Sequence, residues 1–520
     1  MTRILILGGG FSAITAARQL SRKVRHKKNI EIVLVSENNY FVFQPMLPEV
    51  AAGSLEASHI INSIRRLCKH CTFHRAKVDE INTQEKKVKI IGSDFKRQQW
   101  IQYDQLVIAL GLSTDFSRVP GMSEHALPMK TLGDAFFLRN EIINKLEQAA
   151  IETDADYRKQ LLTFVVIGGG FSGVETAGQV WDMLRTAIKG YPNITLSEIK
   201  MVLIHSRGRI LLELTEKLGL FAEKKLRARG CEVLLNTRVK EITPDHIILD
   251  DDTEIPSKTV IGTTGNATHP VMTELEFINE KGRIDTNTKL QAIQPDKNQK
   301  IIEVIPNIWA LGDCAFVPNT TEKPKEGIYP LCPPTAQFAI RQANILAKNI
   351  YASIYDKPLK EFKFKELGQM AIIGHLTGVA QVLGIRFSGL LAFMFWRFVY
   401  WVKLPGIYCK CRVLLDWTID VFFPVDITQL EVFRTEKIDR SHYQKGSYII
   451  KQGDIADYFY VLEKGQVEVI KENEDQTETV LAVLKEGDSF GEMGLMEKAP
   501  RNASVRCLTP VGALKVNRND

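Results

Sequence analysis

The sequence predicts an α/β protein in which two parallel-sheet domains are followed by a smaller all-β domain. Three observations support this prediction: the chain length, a strand–turn–helix motif that occurs twice, and a change to short alternating strands near the C-terminus. At 520 residues the chain is several times longer than a usual domain of ~100–150 residues, so three or four domains are expected. Hydrophobic residues at 45%, charged residues at 25% and a mean hydropathy of −0.09 exclude a disordered or collagen-like chain and argue against a polytopic membrane protein.

The repeated motif lies at Ile4–Leu20, ILILGGGFSAITAARQL, and at Phe164–Val180, FVVIGGGFSGVETAGQV. Each copy is an apolar strand, a glycine-rich turn and an amphipathic helix. The glycines allow a tight turn and close approach of a pyrophosphate, whose charge is stabilised at the helix N-terminus. Two copies in this context predict two Rossmann-like dinucleotide-binding domains rather than incidental glycine-rich turns. The predicted contacts are Gly8, Gly10, Phe11 and Ala13 in the first copy and Gly168, Gly170 and Gly173 in the second.

The two copies differ at the end of the following strand. In the first copy IEIVLVSE ends in Glu37, whose carboxylate is placed to bind a ribose hydroxyl. In the second copy KMVLIHSRGRIL carries His205, Ser206 and Arg207 and no acid. Since an arginine here can accept a 2′-phosphate, the sequence leaves the choice between NADH and NADPH open.

Two further strands end in small residues: Tyr103–Gly111, YDQLVIALG, and Ile305–Ala315, IPNIWALGDCA. With the two glycine motifs, they resemble the two-dinucleotide-binding flavoprotein oxidoreductases, whose FAD domain is discontinuous and contains the NAD(P)H domain as an insert. The resemblance implies an FAD domain at 1–115 and 285–365, an NAD(P)H domain at 116–284, and an FAD contact from Asp313. It also implies cofactor contacts from Gly111, Gly265 and Ala336.

Two other stretches look like type II NADH:quinone oxidoreductases, which do not pump protons: Phe41–Gly53, FVFQPMLPEVAAG, and Pro333–Ala343, PPTAQFAIRQA. This resemblance implies hydride transfer from NAD(P)H to FAD and then reduction of ubiquinone or menaquinone. It places Gln337 and Gln342 beside the flavin and quinone, and Glu175 near the nicotinamide, where a carboxylate could orient the ring or relay a proton. The alternative for Glu175 is an acid favoured by the helix dipole.

Two other functions remain open. Cys68 and Cys71 form a CKHC motif that could serve an FAD-dependent disulfide reductase. It lies between a helical stretch and a strand, however, whereas disulfides of that superfamily lie in the first FAD helix or the NADPH domain. The other alternative is a non-catalytic nucleotide-sensing scaffold. The eight cysteines are expected to be reduced thiols, because no secretory leader is evident.

A basic and aromatic stretch lies within the predicted membrane-binding segment at 366–428. Leu376–Leu415 contains no acid and five basic residues, Arg386, Arg397, Lys403, Lys410 and Arg412. Its longest apolar run, interrupted by Arg397, is shorter than the ~20 residues of a spanning helix. An amphipathic helix in the interface of an anionic membrane is expected, with a buried core helix as the alternative. The predicted location is peripheral, on the cytoplasmic face of the inner (plasma) membrane.

The last predicted domain, 429–520, differs from the preceding ones in its short alternating strands and regular turns. Tyr443–Ile470 alternates apolar and polar residues between glycines, which predicts a β-roll. Ser489–Val505, SFGEMGLMEKAPRNASV, resembles the phosphate-binding cassette of cyclic nucleotide-binding domains. The resemblance implies that Gly491 approaches a cyclic nucleotide, Glu492 accepts its ribose hydroxyl and Arg501 pairs with its phosphate. The helices that follow in that family are missing from this sequence, so either the sequence is a fragment or the helices are absent, and regulation by a cyclic nucleotide is a hypothesis.

Together these features predict a peripheral flavoenzyme that uses FAD and NADH or NADPH and reduces a membrane quinone. The formal charge of +6 is too small to indicate a nucleic-acid partner. A homodimer is a candidate assembly, and no metal site is predicted.

Overall fold

The computed structural model describes residues 1–92, 97–279, 281–295, 302–324, 329–423, 426–429, 439–454, 458–473, 477–493 and 501–517. Contacts divide the chain into two compact units, Met1–Gln429 and Leu430–Asp520.

The first part of the large unit begins a sheet around the first glycine motif. Its strands are β1 (Thr2–Leu7), β2 (Ile30–Ser36), β3 (Tyr40–Val42), β4 (Ile61–Ser63), β5 (Thr72–Asn82), β6 (Lys87–Gly92), β7 (Gln98–Gln102), β8 (Gln105–Ile108) and β9 (Ser113–Thr114). Its helices are α1 (Phe11–Val24), α2 (Leu47–Ala51) and α3 (Ile64–Leu67). Strand β1 is buried from Ile4 to Leu7, as expected for a central parallel strand.

The second part contains the second glycine motif. Its elements are α4 (Met122–His125), β10 (Ala126–Pro128), α5 (Leu132–Ile151), α6 (Ala155–Leu161), β11 (Thr163–Ile167), α7 (Phe171–Ala187), β12 (Lys200–Ile204), α8 (Glu216–Ala228), β13 (Cys231–Leu234), β14 (Val239–Ile242), β15 (His246–Leu249), β16 (Glu254–Pro256) and β17 (Thr259–Gly262). Strands β10-β17-β11-β12-β13 form a parallel sheet, beside which β14-β15-β16 form an antiparallel one.

The chain then returns to the first sheet. The elements are β18 (Asn266–Ala267), β19 (Ile284–Asp285), β20 (Gln291–Pro295), β21 (Ile302–Ala310), β22 (Ala315–Phe316) and α9 (Ala336–Ile354). The completed sheet has the order β20-β21-β8-β1-β2-β5-β6-β7, and its five central strands, β21 to β5, are parallel. Strands β20 and β21 follow the second part in the chain but join the first sheet beside β8, so this sheet is built from two separate stretches of sequence.

A sheet and two helices complete the large unit: β23 (Gly368–Gly374), β24 (Thr377–Val382), β25 (Ile385–Gly389), α10 (Leu390–Lys403) and α11 (Ile407–Phe422). The sequence indicated a helix in this region, but the part before Leu390 is antiparallel strand. The physical reason is the turn at Leu383 and Gly384, both at positive φ, which reverses the chain between β24 and β25.

The small unit is all-β, as predicted. Its strands are β26 (Asp439–Tyr443), β27 (Tyr448–Ile450), β28 (Tyr458–Lys464), β29 (Val467–Glu472), β30 (Glu478–Leu484), β31 (Ser489–Phe490), β32 (Ser504–Cys507) and β33 (Val511–Asn517). They form two antiparallel sheets, β26-β33-β28-β31 and β27-β32-β29-β30, around a separate apolar core.

Candidate functional site

A cavity of about 770 Å³ lies where the ends of β1 and β2 meet the start of α7. Residues from both glycine motifs line it, together with residues from α9 and α10. Of the predicted site residues, its lining includes Gly8, Gly10, Phe11, Glu37, Gly111, Glu175, Gly265, Asp313, Ala336 and Gln337. The volume lies within the range of cofactor sites, which run from about 300 to 1,000 Å³.

The turn after β1 is shaped to receive a phosphate group. Gly8 has φ +119°, and a Cβ there would overlap the carbonyl of Ala109, so only glycine fits. A Cβ on Gly10 would meet nothing within 4 Å, so this side of the turn is open. Gly10 is also the N-cap of α1, whose first turn contains no acid. Open space and the positive end of a helix dipole fit the pyrophosphate of FAD.

Asp313 and Lys130 face the same cavity. Asp313 lies in the short 3₁₀ turn Gly312–Cys314 after β21, and burial raises the pKa of its carboxyl while Arg283 and Lys130 oppose the rise. The Lys130 ammonium is buried without a hydrogen-bond partner, and its burial lowers its pKa. An unpartnered buried cation in a cavity wall is suited to a negative or carbonyl group of a ligand.

The predicted glutamines occupy different positions on α9. Gln337 lines the cavity and donates from Nε2 to Glu366 Oε1 at 3.1 Å and to the Gly368 carbonyl at 3.2 Å. Gln342 is buried, and its Oε1 accepts from the backbone N–H of Gly312 at 2.8 Å. The structure therefore places Gln342 behind the turn that carries Asp313, outside the cavity lining described for this chain.

The second glycine turn repeats the geometry of the first. Gly168 has φ +122°, and a Cβ on Gly173 would overlap the carbonyl of Gly168, so strand and helix pack closely. Gly170 is open, like Gly10. Phe171 and Ser172 at the start of α7 line the cavity, whereas Ser206 and Arg207 are exposed outside its described lining. Ala13, the first-copy counterpart of Gly173, is fully buried.

Glu175 connects α7 to the C-terminal helices. Its Oε1 accepts from the Ile372 N–H at 3.1 Å and from the Trp396 indole at 3.2 Å. Burial raises the pKa of Glu175 to about 8, against the effect of these two hydrogen bonds. The carboxyl is therefore mainly protonated at neutral pH and can donate a proton to a group in the cavity.

A second buried carboxyl, Glu49 on α2, was missed by the sequence reasoning. It is 1% exposed and contacts Arg397 Nη2 at 3.4 Å and the Trp417 indole at 3.2 Å. Burial raises its pKa to about 7, although Arg397 lowers it. Arg397 also reaches Asp420 at 3.5 Å. The signal in the sequence was an acid inside the apolar stretch Phe41–Gly53.

The cavity extends to α10, where Tyr400 and Lys403 line it. The sequence did not predict either residue as part of the cavity. Burial raises the pKa of the Tyr400 hydroxyl and lowers that of the Lys403 ammonium.

The outer face of α10 and α11 is apolar. Its exposed large side chains are Leu390, Leu391, Met394, Phe398, Val402, Ile407, Tyr408, Leu414, Leu415, Ile419, Val421 and Phe422. We call these twelve residues the apolar face. Among the described residues, each helix is too short or too polar to cross a membrane.

The CKHC motif lies away from the cavity. All eight cysteines are free; Cys68 is buried, and the Cys71 thiol lies 3.0 Å from the Ser21 hydroxyl. Neither Cys68 nor Cys71 belongs to the cavity lining in the described part of the chain. This placement gives no support to a dithiol that exchanges electrons with a flavin.

In the small unit, Gly491 has φ +89° and Arg501 is buried. The Arg501 guanidinium donates to the carbonyls of Gly491 and Tyr458, while Glu492 is exposed. Two of the three predicted nucleotide residues are thus in direct contact.

Comparison with known proteins identifies the family. Residues 2–343 match the pyridine nucleotide-disulphide oxidoreductase model, 367–425 the NDH2 C-terminal domain and 440–520 the cyclic nucleotide-binding domain. The chain is 30% identical to a probable NADH dehydrogenase of Dictyostelium discoideum, over 82% of this chain and 91% of that protein. It is 29% identical to the type II NADH:quinone oxidoreductase NdhA of Mycobacterium tuberculosis, over 80% of this chain and 86% of that one.

Among solved structures, NDH2 of Plasmodium falciparum in complex with NADH has a TM-score of 0.74 and 19% identity, covering 82% of this chain and 99% of that one. This likeness supports the fold. The chain belongs to the pyridine nucleotide-disulphide oxidoreductases and, within them, to the type II NADH:quinone oxidoreductases, with a cyclic nucleotide-binding domain added. The family, fold and enzyme class predicted from the sequence are confirmed.

Proposed function

We propose that this chain is a non-proton-pumping NADH:quinone oxidoreductase that uses FAD and reduces ubiquinone or menaquinone at a membrane surface. The observation that carries the proposal is the cavity of about 770 Å³, which is lined by residues of both glycine motifs and extends to α10, one of the two helices that bear the apolar face. FAD, when bound, would accept a hydride from NADH and then pass two electrons to the quinone.

The residues of the chain would bind and orient these partners. The Gly8–Gly10 turn and the start of α1 would hold the FAD pyrophosphate, with Glu37 at its ribose and Asp313 nearer the flavin. The start of α7 would hold the pyridine nucleotide, and Glu175 would lie near its nicotinamide. Because Glu175 is mainly protonated at neutral pH, it would supply a proton while the quinone is reduced.

The membrane is the second part of the proposal. The apolar face would enter the headgroup region of an anionic leaflet, with basic residues at its edge. Arg397 would not contribute, because its guanidinium points inward to Glu49 and Asp420. Lys403 lines the cavity, so three of the five basic residues of the segment remain, Arg386, Lys410 and Arg412, each worth ~1 kcal/mol near such a surface.

Sedimentation with vesicles tests the membrane proposal. The purified protein should bind vesicles that contain phosphatidylglycerol more strongly than vesicles of phosphatidylcholine alone. Replacing Leu391 and Phe398 by Glu should weaken binding by about tenfold or more, because charged residues do not enter the interface. Leu220→Glu on α8 is the control, since Leu220 is also an exposed apolar residue, at 50% against 67% for Leu391 and 60% for Phe398, and lies outside the apolar face. Equal loss in the control, or no loss in the double variant, would contradict the proposal.

We also propose that the small unit binds a cyclic nucleotide through Gly491, Glu492 and Arg501. The match to the cyclic nucleotide-binding family and the contact of Arg501 with Gly491 support this proposal. Calorimetry with cAMP and cGMP tests it, with Glu492→Ala as the variant expected to weaken binding. Absence of heat with both ligands would overturn it without affecting the oxidoreductase proposal.

A further inference from the structure

The two glycine motifs can be aligned residue by residue through their hydrogen bonds. The Gly8 N–H donates to the Val35 carbonyl at 2.9 Å, and the Gly168 N–H donates to the Ile204 carbonyl at the same distance. Val35 and Ile204 therefore occupy the same position in the two domains.

The next residues agree with this alignment. A Cβ on Gly9 would meet the Ser36 side chain, and a Cβ on Gly169 would meet the His205 ring. Ser36 and His205 thus correspond. The residue after Ser36 is Glu37, which lines the FAD cavity, and the residue after His205 is Ser206.

The residue at this position decides whether a Rossmann site accepts the 2′-hydroxyl of NAD or the 2′-phosphate of NADP. An acid here binds the 2′-hydroxyl of NAD and repels the 2′-phosphate of NADP, whereas a nearby arginine accommodates the phosphate. The second site has the small neutral Ser206 in place of the acid and Arg207 immediately after it. Arg207 is exposed, and among the described residues its guanidinium forms no hydrogen bond or ion pair.

The surroundings of Arg207 are polar and exposed to solvent. The Asn236 N–H, from the loop after β13, donates to the Arg207 carbonyl at 3.0 Å, so this loop lies beside Arg207. Arg238, two residues further on, is also exposed. Two exposed acids lie nearby. Burial lowers the pKa of His205 and the charge of Glu213 opposes that shift, and Asp250 accepts a hydrogen bond from the Arg238 N–H at 3.4 Å.

His205 itself is fixed in place. Its Nδ1 accepts from the Gly169 N–H at 3.1 Å, and its Nε2 is buried without a partner. The strand end is therefore anchored to the second glycine turn, and Ser206 and Arg207 directly follow this anchor.

We propose that the second nucleotide site accepts NADPH as well as NADH, with Arg207 contacting the 2′-phosphate and Ser206 providing the space for it. This inference rests on the proposed function, because it takes the second glycine motif as the pyridine nucleotide site. A guanidinium can form paired, charge-assisted hydrogen bonds with a phosphate.

Calorimetric titration of the FAD-loaded protein with NAD⁺ and NADP⁺ tests the inference without turnover. NADP⁺ should bind at least as tightly as NAD⁺. Arg207→Ala should weaken NADP⁺ binding by about tenfold, the usual cost of one charge-assisted contact, and leave NAD⁺ binding unchanged. Ser206→Glu should weaken NADP⁺ binding further and preserve NAD⁺ binding.

Lys224→Ala is the matched control, because it removes an exposed cation from α8 of the same domain. It should change neither affinity. Weaker binding of NADP⁺ than NAD⁺ to the unchanged protein, or an equal effect of Arg207→Ala and Lys224→Ala on NADP⁺, would overturn the inference and leave the proposed function standing. Failure of both dinucleotides to bind would overturn the proposed function as well.

Discussion

The Trp396 indole donates to the Glu175 carboxyl at 3.2 Å, although the two residues are 221 positions apart in the chain. The contact joins α10, which bears the apolar face, to α7, the helix of the second glycine motif. The helix that bears the apolar face and the helix of the second glycine motif therefore meet at one buried carboxyl group.

The first prediction separates the two nucleotide sites. Gly10→Val should abolish flavin retention, whereas Gly170→Val should keep the yellow colour and stop reduction of the flavin by NADH. Both glycines have extended backbones and open space at Cβ, so the added side chain fills the binding site rather than the protein core. Absorbance at the flavin band and thermal unfolding measure the outcome. Retained flavin in a folded Gly10→Val protein would show that the first motif is wrongly assigned.

The second prediction concerns Glu175. Because its pKa is raised to about 8, the proton donor is lost as the pH rises through that value. Quinone reduction by the unchanged protein should therefore decline above about pH 8. Glu175→Gln should retain flavin and be slower at pH 7, and its rate should lack that decline. A decline of the same midpoint in the variant would exclude Glu175 as its source.

The third prediction concerns the stability contributed by Glu49. Its pKa lies near 7 in the folded protein and near 4.5 in the unfolded chain, so the folded state binds more protons between these values. Stability should fall as pH rises through this window, and at ~1.4 kcal/mol per unit the loss is on the order of 3 kcal/mol.

Glu49→Gln should reduce the fall in melting temperature between pH 5 and pH 8 by the share of Glu49, while the share of Glu175, whose pKa is also raised, remains. Glu124→Gln, at an exposed position, is the control and should behave as the unchanged protein. An unchanged pH dependence in Glu49→Gln would contradict the assignment.

The fourth prediction distinguishes the enzyme from a disulfide reductase. Cys68→Ser should leave quinone reduction unchanged, because Cys68 is buried away from the cavity. Steady-state NADH oxidation with a soluble quinone analogue measures this. Loss of activity, with flavin content and melting temperature preserved, would favour the dithiol chemistry.

The sequence predicted the parts of the site that lie within one motif. Gly8 and Glu37 follow buried strands, and parallel strands bring their ends to one edge of the sheet, so their placement follows from local pattern. Asp313 was implied by the resemblance to the two-dinucleotide-binding flavoproteins. Glu175 was predicted because the second motif resembles that of the type II NADH:quinone oxidoreductases, and its helix begins four residues earlier, at Phe171.

The remaining contributions depend on distant packing. Lys130 comes from the segment before α5, and Tyr400 from α10, and neither lies in a pattern that marks a cavity. Glu49 and Arg397 meet across 348 positions. The strands before α10 were missed because the turn at Leu383 and Gly384 lies between apolar residues and does not stand out from the sequence on either side.

The most direct test of the central claim is anaerobic stopped-flow absorbance in two mixing steps. NADH should bleach the flavin band of the purified protein, and a soluble quinone analogue mixed in afterwards should restore it fully, with one quinone consumed per NADH. A flavin that NADH does not bleach, or a bleached flavin that the quinone leaves unchanged, would contradict electron transfer from NADH through FAD to quinone.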